Sequence, residues 1–424
     1  MSKIKQRNIE VYAHWTGLSD PTKMGILYAT ISRGKEVFSF DYDEDWLKKG
    51  QAHTLDPSLQ LFYGPQYAPH GKGNFNVFLD SSPDRWGRFL MNRREALTAR
   101  KEGRAENTLL ESDYLLGVYD EHRMGGLRFR LGPNGPFLDN NKAHASPPWT
   151  TLRELEHASL ELEKDDAENN PSYSKWLQML ITPGSSLGGA RPKANVVDEN
   201  KQLWIAKFPS AHDIIDIGAW EMVVHNLAQK AKISTAICKC KKFNSLHHTF
   251  LSKRFDRNNI CERFHFASAI TLLQRSDGDD ASMGASYLEF VEFIIQKGAR
   301  PAQDLEQLWR RIVFFICVSN VDDHLRNHGF LLEPNGWVLA PAYDMNPVAN
   351  GNGLKLNISE TDNSQDLELA KDVAQFFRIK LDRASEIIQE ITFVVKDWRK
   401  EANSLGISPS EQERMARAFR ICNT

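Results

Sequence analysis

The chain has 424 residues, of which 53 are Lys or Arg and 55 are Asp or Glu, for a formal net charge of −2. With 41% hydrophobic and 25% charged residues the composition is ordinary for a globular protein, so disorder, collagen and coiled coil are excluded. The length suits roughly two to three domains. Near-zero net charge argues against a nucleic-acid coat protein, which would be basic, but does not exclude a local basic groove. The N-terminus carries no apolar run of the signal-peptide kind, and no stretch approaches the roughly 18 apolar residues of a membrane span. The five cysteines are odd in number and scattered. Cys238 and Cys240 have no second pair to complete a zinc site, so free thiols in a cytosolic protein are expected.

No internal repeat is visible. The first hundred residues read as a small α+β unit, with short strands over 11–15, 25–29 and 37–40. A helix is predicted over 82–99, capped by Ser82, with Pro83 in its first turn and Trp86, Phe89, Leu90 and Ala96 on one face. Residues 123–130 read as a strand, 132–148 as a turn-rich loop, 152–163 as an amphipathic helix and 164–171 as a solvated loop. Strands over 193–197 and 203–208 flank a polar turn, a helix covers 216–230, and another strand spans 250–255. Helical periodicity dominates from there to the end.

The most informative stretch is 304–344. An apolar helix with Leu305, Leu308, Ile312, Phe315 and Ile316 at helical spacing ends at Ser319-Asn320. Then comes Val321-Asp322-Asp323-His324-Leu325-Arg326-Asn327-His328, dense in polar groups straight after a buried helix. A hairpin follows, with a Glu333-Pro334-Asn335-Gly336 turn, and delivers Tyr343-Asp344 to its far end. Any one of Asp322, Asp323 and Asn327 alone is an ordinary cap or turn residue. Together they match a phosphotransferase layout: a base, an Asn five residues later that binds metal, a strand pair, then a metal-binding Asp. A base must accept the proton of the attacking hydroxyl, while an amide oxygen and a carboxylate hold Mg²⁺ against the phosphates.

Upstream, Gly184-Ser185-Ser186-Leu187-Gly188-Gly189-Ala190-Arg191-Pro192-Lys193 is a Gly/Ser loop before a strand. Small residues let backbone N–H groups approach phosphate oxygens. It is neither a Walker A loop, since Ala190 stands where Lys should be, nor a kinase G-x-G-x-x-G. Lys207 closes the apolar strand Trp204-Ile205-Ala206-Lys207, as in the kinase Val-Ala-Ile-Lys strand. Glu221, 14 residues on in the next helix, is a candidate partner for Lys207, and a solvated helix Glu is the plainer reading. Ser252-Lys253-Arg254-Phe255-Asp256-Arg257 offers backbone groups to an adenine edge and Phe255 to pack on its ring.

These motifs together resemble the HipA family of bacterial toxin serine/threonine kinases of type II toxin–antitoxin systems. The likeness rests on Ser186 to Lys193, Lys207, Lys253 to Arg257, Asp322 to Asn327, and Tyr343-Asp344. Phe40-Asp41-Tyr42-Asp43-Glu44-Asp45-Trp46-Leu47 and Phe78-Leu79-Asp80-Ser81-Ser82-Pro83-Asp84 extend it over nearly the whole chain. It implies an α+β, bilobal protein-kinase-like fold: an N-terminal α+β subdomain over 1–108, a nucleotide-binding sheet-bearing lobe over 109–255, and an all-α C-terminal lobe over 256–424. By the resemblance Asp322 is the catalytic base, and Asn327 and Asp344 bind Mg²⁺. ATP contacts fall to Leu187, Gly188, Gly189, Ala190, Arg191, Pro192, Lys193, Lys207, Lys253, Arg254, Phe255, His324, Leu325, Arg326, Tyr343 and Asp344. Ser186, or its neighbour Ser185, matches the serine that the family autophosphorylates to switch itself off. The resemblance further implies a small helix-turn-helix antitoxin as partner, contact with DNA only through that antitoxin, an aminoacyl-tRNA synthetase as protein substrate, and a bacterial cytoplasmic location. Two other readings compete: a kinase-like regulatory or repressor partner with little catalysis, and a small-molecule phosphotransferase.

Overall fold

A computed structural model describes residues 6–32, 34–49, 53–142, 145–180 and 189–422. The chain divides into two compact units, one of residues 1–206 with 256–274, the other of residues 207–255 with 275–424.

In the first unit a five-stranded sheet runs in the order Gln66–Tyr67, Lys35–Tyr42, Thr22–Ser32, Gln6–Ala13, Leu127–Leu131. Alternate residues of each strand face one side, so Ile9, Val11, Ala13, Leu27, Ala29, Phe38, Phe40 and Phe129 are all buried. Phe75 and Phe78 join that layer, Phe78 meeting Phe40 at 5.5 Å between ring centroids. Gly25 is required where two strands close up: a Cβ there would lie 2.1 Å from the Asp41 carbonyl oxygen.

The predicted helix near 82–99 is Arg85–Glu102, and its cap is Asp84 rather than Ser82. The Asp84 carboxylate accepts the Gly87 N–H at 2.8 Å, whereas the Ser82 hydroxyl donates back to the Phe78 carbonyl. A carboxylate both satisfies an orphan N–H and complements the positive end of the helix, which favours Asp84. Downstream, strands Lys193–Val197 and Leu203–Lys207 lie side by side. Their connection is tied by Asp198, whose side chain accepts from the Asn200 and Gln202 amides and from the Trp204 indole.

The second unit opens with helix Ile217–Lys230, capped by Asp216. Strands Cys238–Lys242 and His248–Lys253 pair antiparallel, Cys238 opposite Ser252. Helix Pro301–Val318 is buried over nearly its whole length, with Leu305, Leu308, Ile312 and Ile316 inaccessible to solvent and Phe315 nearly so. It stops where Ser319 turns left-handed at φ 49°. The hairpin follows as expected, Gly329–Glu333 against Gly336–Leu339, with Pro334 and Asn335 as its two loop residues. Trp220, Trp398 and Phe419 close the distal core, Trp398 stacked on Phe419 at 4.5 Å.

The units cut across the expected segments 1–108, 109–255 and 256–424. Residues 256–274 group with the first sheet because Asp256 and Arg257 are anchored there. The wholly buried Asp256 carboxylate accepts the Gly125 N–H at 2.9 Å, and Arg257 donates to the Arg123 carbonyl. Gly125 sits at φ +74°, a region that favours glycine, and a Cβ there would press on the Phe266 amide at 3.0 Å. Among the described residues no helix is long and apolar enough to cross a membrane.

Candidate active site

Lys207 ends its strand with its ammonium between two carboxylates. Nζ donates to Glu221 Oε1 at 2.5 Å and to Asp344 Oδ1 at 2.7 Å. Glu221 projects from helix Ile217–Lys230 and is buried, so the pairing weighed against a solvated Glu is formed. Burial acts to lower the Lys207 pKa, but Asp344 and Glu221 outweigh it and hold the ammonium above its ordinary value. A strand Lys held by a helix Glu is the ion pair that protein kinases need in place before phosphoryl transfer, and here Asp344, beyond the hairpin, is a second acidic partner of the same cation.

Asp344 stands at φ +57°, a conformation that Asp and Asn enter more readily than bulkier residues. Two contacts hold it there besides Lys207. The Asn346 amide donates to Asp344 Oδ1 at 3.2 Å, and the Tyr343 hydroxyl donates to the Arg326 carbonyl at 2.8 Å. The second contact ties the residue before Asp344 to the residue before Asn327. The chain entering this turn is pinned by the Ala342 N–H on the Ser234 carbonyl.

The loop after helix Pro301–Val318 is closed on itself. Asn327 Nδ2 donates to the Asp322 carbonyl at 3.0 Å, and the Asn327 N–H donates to the His324 carbonyl at 2.8 Å. Asp322 is exposed, and its carboxylate has no hydrogen-bond partner among the described residues. Leu325 is buried and His324 half-buried. Arg326 Nε donates to Asp277 Oδ1 at 3.0 Å, so the cation expected to offset phosphate charge has an exposed carboxylate as its present partner. Phe255 packs on Tyr343 at 5.4 Å between centroids, with the rings 30° apart. Lys253 is half-buried and Arg254 buried.

In the first unit the end of the Gly/Ser loop has a different character. Lys193 is 4% exposed, and its ammonium reaches Asp84 Oδ2 at 2.9 Å and the Gly189 carbonyl at 2.7 Å. Trp86 Nε1 donates to the Lys193 carbonyl at 2.9 Å. Burial pushes the Asp84 carboxyl up, against the pull of Lys193 and the Gly87 amide. Lys193 was expected to face phosphate, and here it fastens the loop to a helix N-terminus. Gly189 and Ala190 are exposed, Arg191 half-buried and Pro192 buried. Ser185, Ser186, Leu187 and Gly188 lie outside the described residues.

Several residues that organise the site were not singled out from sequence. Asp323 is buried and accepts from the Tyr287 hydroxyl at 2.7 Å and from His328 Nε2 at 2.6 Å. Arg311 is buried and donates to the Ala340 carbonyl at 2.6 Å, while Asp304 accepts the Leu339 N–H at 3.1 Å. Both fix the strand that leads to Asp344. Burial lowers the Arg311 guanidinium to about 10, with Asp323 and Asp304 working to keep it charged. For Arg311 the available signal was a charged residue in the apolar half of helix Pro301–Val318: such groups are buried only with partners.

The donor set suits Mg²⁺. Asn327 and Asp344 offer amide and carboxylate oxygens, the hard ligands this ion takes in ones and twos beside phosphate and water. Because Asn327 Nδ2 is committed to the Asp322 carbonyl, Oδ1 is the amide atom left to accept or ligate. Among the described residues no group of three or more His, Cys, Asp and Glu is arranged as an all-protein metal cage. A transition-metal site of that kind is therefore not part of the described structure.

The model of the HipA-like C-terminal domain matches residues 185–398, half of the chain. The solved HipA of Shewanella oneidensis MR-1, from a toxin–antitoxin complex with HipB and operator DNA, superposes with a TM-score of 0.63 at 16% identity. That superposition covers 98% of this chain and 96% of HipA, and it shows a shared HipA-like, kinase-like fold. The Helicobacter pylori proinflammatory kinase CtkA aligns over 55% of this chain and 94% of its own at 12% identity, with a TM-score of 0.36, too loose to carry an argument. A candidate kinase of Haemophilus influenzae is 29% identical over 112 residues, 25% of this chain. The matched stretch spans only 33% of that relative's length. With the family model covering half its length, the chain belongs to the HipA-like C-terminal domain family.

Proposed function

We propose that the chain is an ATP- and Mg²⁺-dependent protein serine/threonine kinase of the HipA toxin type. The observation that carries this reading is Lys207 held between Glu221 and Asp344, in the same unit as the stapled loop that presents Asp322 and Asn327. The Asp322 carboxylate, exposed and without a hydrogen-bond partner among the described residues, takes the proton of an acceptor hydroxyl as that hydroxyl attacks the γ-phosphorus. Lys207 exchanges part of its carboxylate contact for the α- and β-phosphates. Glu221 keeps its ammonium oriented. Asn327 Oδ1 and the Asp344 carboxylate hold Mg²⁺, which when bound offsets charge on the β- and γ-phosphates. Arg326, released from Asp277, adds positive charge at the same phosphates. Phe255, Lys253 and Arg254 serve the adenine end, with residues 187–192 along the phosphates and Lys193 holding the end of that loop in place. Segments 109–255 and 256–424 are the two kinase lobes on this reading, and 1–108 is the added subdomain.

The regulation follows the same family pattern. Autophosphorylation of Ser186 or Ser185 switches the kinase off, with Arg191 near enough in sequence to bond the phosphoserine. A helix-turn-helix antitoxin restrains the protein and mediates any contact with operator DNA. The substrate is an aminoacyl-tRNA synthetase in the bacterial cytoplasm, and its phosphorylation arrests translation. The test is to incubate the pure protein with Mg²⁺ and γ-labelled ATP against three acceptors: its own chain, a panel of synthetases, and hydroxyl or aminoglycoside small molecules. Label on serine or threonine of protein is expected. Label confined to small molecules would replace this reading with a small-molecule phosphotransferase, and no label on any acceptor would leave a regulatory protein.

A further inference from the structure

Asp322 and Asn327 stand five residues apart, and so do the residues that follow them, Asp323 and His328. Of the first pair Asp322 is exposed and Asn327 is bonded to the Asp322 carbonyl. The second is turned inward, with Asp323 and His328 each 1% exposed. Across the base of the loop His328 Nε2 meets Asp323 Oδ2 at 2.6 Å, and the Tyr287 hydroxyl donates to the same oxygen at 2.7 Å. On the outer side Asn327 Nδ2 donates to the Asp322 carbonyl. The loop is therefore stapled twice, once beside the functional pair and once directly behind it.

The inner staple is built on rigid elements. Tyr287 begins helix Tyr287–Lys297, whose Ser286 cap forms a full capping box, and its N–H is fixed on the Asn357 carbonyl. The His328 ring lies against Phe290 at 5.0 Å and Phe315 at 6.2 Å between centroids. Its Nδ1 has no hydrogen-bond partner among the described residues, so Asp323 is the ring's polar anchor there. Filling this space with apolar side chains would avoid the desolvation of a carboxylate. What a buried charge with two short donors adds is direction: charge-assisted bonds in a low-dielectric setting fix distance and angle.

We propose that Asp323, Tyr287 and His328 form a buried clasp that sets the separation and orientation of Asp322 and Asn327, as positioning residues for phosphoryl transfer. The proposal rests on the kinase reading above and adds to it a reason for the second Asp and the second His of the loop. A base and a metal ligand on one irregular loop need such support, since displacement by about 1 Å costs on the order of 10²-fold in rate.

The test compares wild type with Asp323→Asn, Tyr287→Phe and their double variant. It follows kcat, the KM for ATP, and the affinity for Mn²⁺ in the presence of ATP by paramagnetic resonance. Asp323→Asn is expected to lower kcat and Mn²⁺ affinity by about 10- to 100-fold, as loss of ligand-orienting partners does. The KM for ATP should stay within about 3-fold, since no nucleotide contact is removed. Tyr287→Phe, which deletes one hydrogen bond, should lower both by about 3- to 10-fold. The double variant should be no worse than Asp323→Asn, because both act through one carboxylate. A folded Asp323→Asn with wild-type kcat and Mn²⁺ affinity overturns the clasp, as do additive effects. Should Asp323→Asn not fold, an unchanged Tyr287→Phe overturns it alone. If wild type transfers no phosphate but binds Mn²⁺ with ATP, the kinase reading fails and the affinities still decide the clasp. If wild type does neither, both fall.

Discussion

Two lysines, 14 residues apart in sequence, show what separates a cation spent on the fold from one with a partner left for a ligand. Lys193 meets one carboxylate, Asp84, and a backbone carbonyl, and both side chains of that ion pair are at most 4% exposed. Asp84 is already committed as a helix cap. Lys207 meets two carboxylates, one of them 23% exposed, and its second partner, Asp344, sits in a left-handed turn beyond a hairpin. In the first pair every donor and acceptor in view has a task within the fold. In the second one cation faces two carboxylates, more negative charge than it balances, and the more exposed of them can turn to a ligand. Sequence assigned both lysines to phosphate, Lys193 as the last residue of the Gly/Ser loop and Lys207 as the end of an apolar strand, and only their partners distinguish them.

The largest difference should appear in activity. Lys207→Met is expected to lower phosphoryl transfer by about 10²- to 10³-fold, the range seen when one preorganised charge-stabilising donor is lost. It should lose less stability than a change at Lys193, because water already reaches Asp344. Steady-state kinetics beside urea unfolding will show which quantity moves first.

Lys193→Met should do the reverse. Leaving Asp84 buried without its cation is expected to cost about 3–5 kcal/mol, read as a shift in urea midpoint at constant slope. Replacing both partners by apolar side chains of similar size should recover most of that loss. If Lys193→Met leaves stability intact and removes activity, the two lysines are alike and the comparison breaks.

The smallest effect concerns the helix that carries Glu221. Its cap, Asp216, is bonded to His248 Nδ1 at 2.6 Å and to the His248 and Ala219 amides. Burial acts to raise the Asp216 pKa, but His248 and the amides outweigh it and hold it below the ordinary value of 3.8. A depressed carboxylate stabilises the fold above its unfolded pKa and ceases to as pH falls through the folded one. Asp216→Asn should therefore cost about 1 kcal/mol at neutral pH. The gap from wild type should narrow below about pH 4. A gap that widens in acid would contradict the sign.

Much of this was legible in the chain. Helix Pro301–Val318 follows its 3.6-residue apolar spacing, and the hairpin follows from two apolar runs around a short polar turn. The strand Cys238–Lys242 was not read, because its three lysines leave it without an apolar run like the Phe250-Leu251 pair that marks His248–Lys253. The cap of helix Arg85–Glu102 was placed two residues early, since Ser82, Pro83 and Asp84 all carry start signals and only hydrogen bonding decides among them. In the site, the spacing of Asp322, Asn327 and Asp344 was visible, while Asp323 looked like its neighbour. Adjacent residues in an irregular loop face opposite ways, and which one turns inward depends on Tyr287, 36 residues away.

The role proposed for Asp322 is that of base in a phosphoryl-transfer site that Lys207, Asn327 and Asp344 complete. It is tested most directly by single-turnover transfer from γ-labelled ATP in wild type and Asp322→Asn, with nucleotide binding followed in parallel. Transfer should fall by about 10²- to 10⁴-fold, with ATP affinity within about 2-fold of wild type. Transfer at the wild-type rate in a folded, ATP-binding Asp322→Asn protein would contradict it.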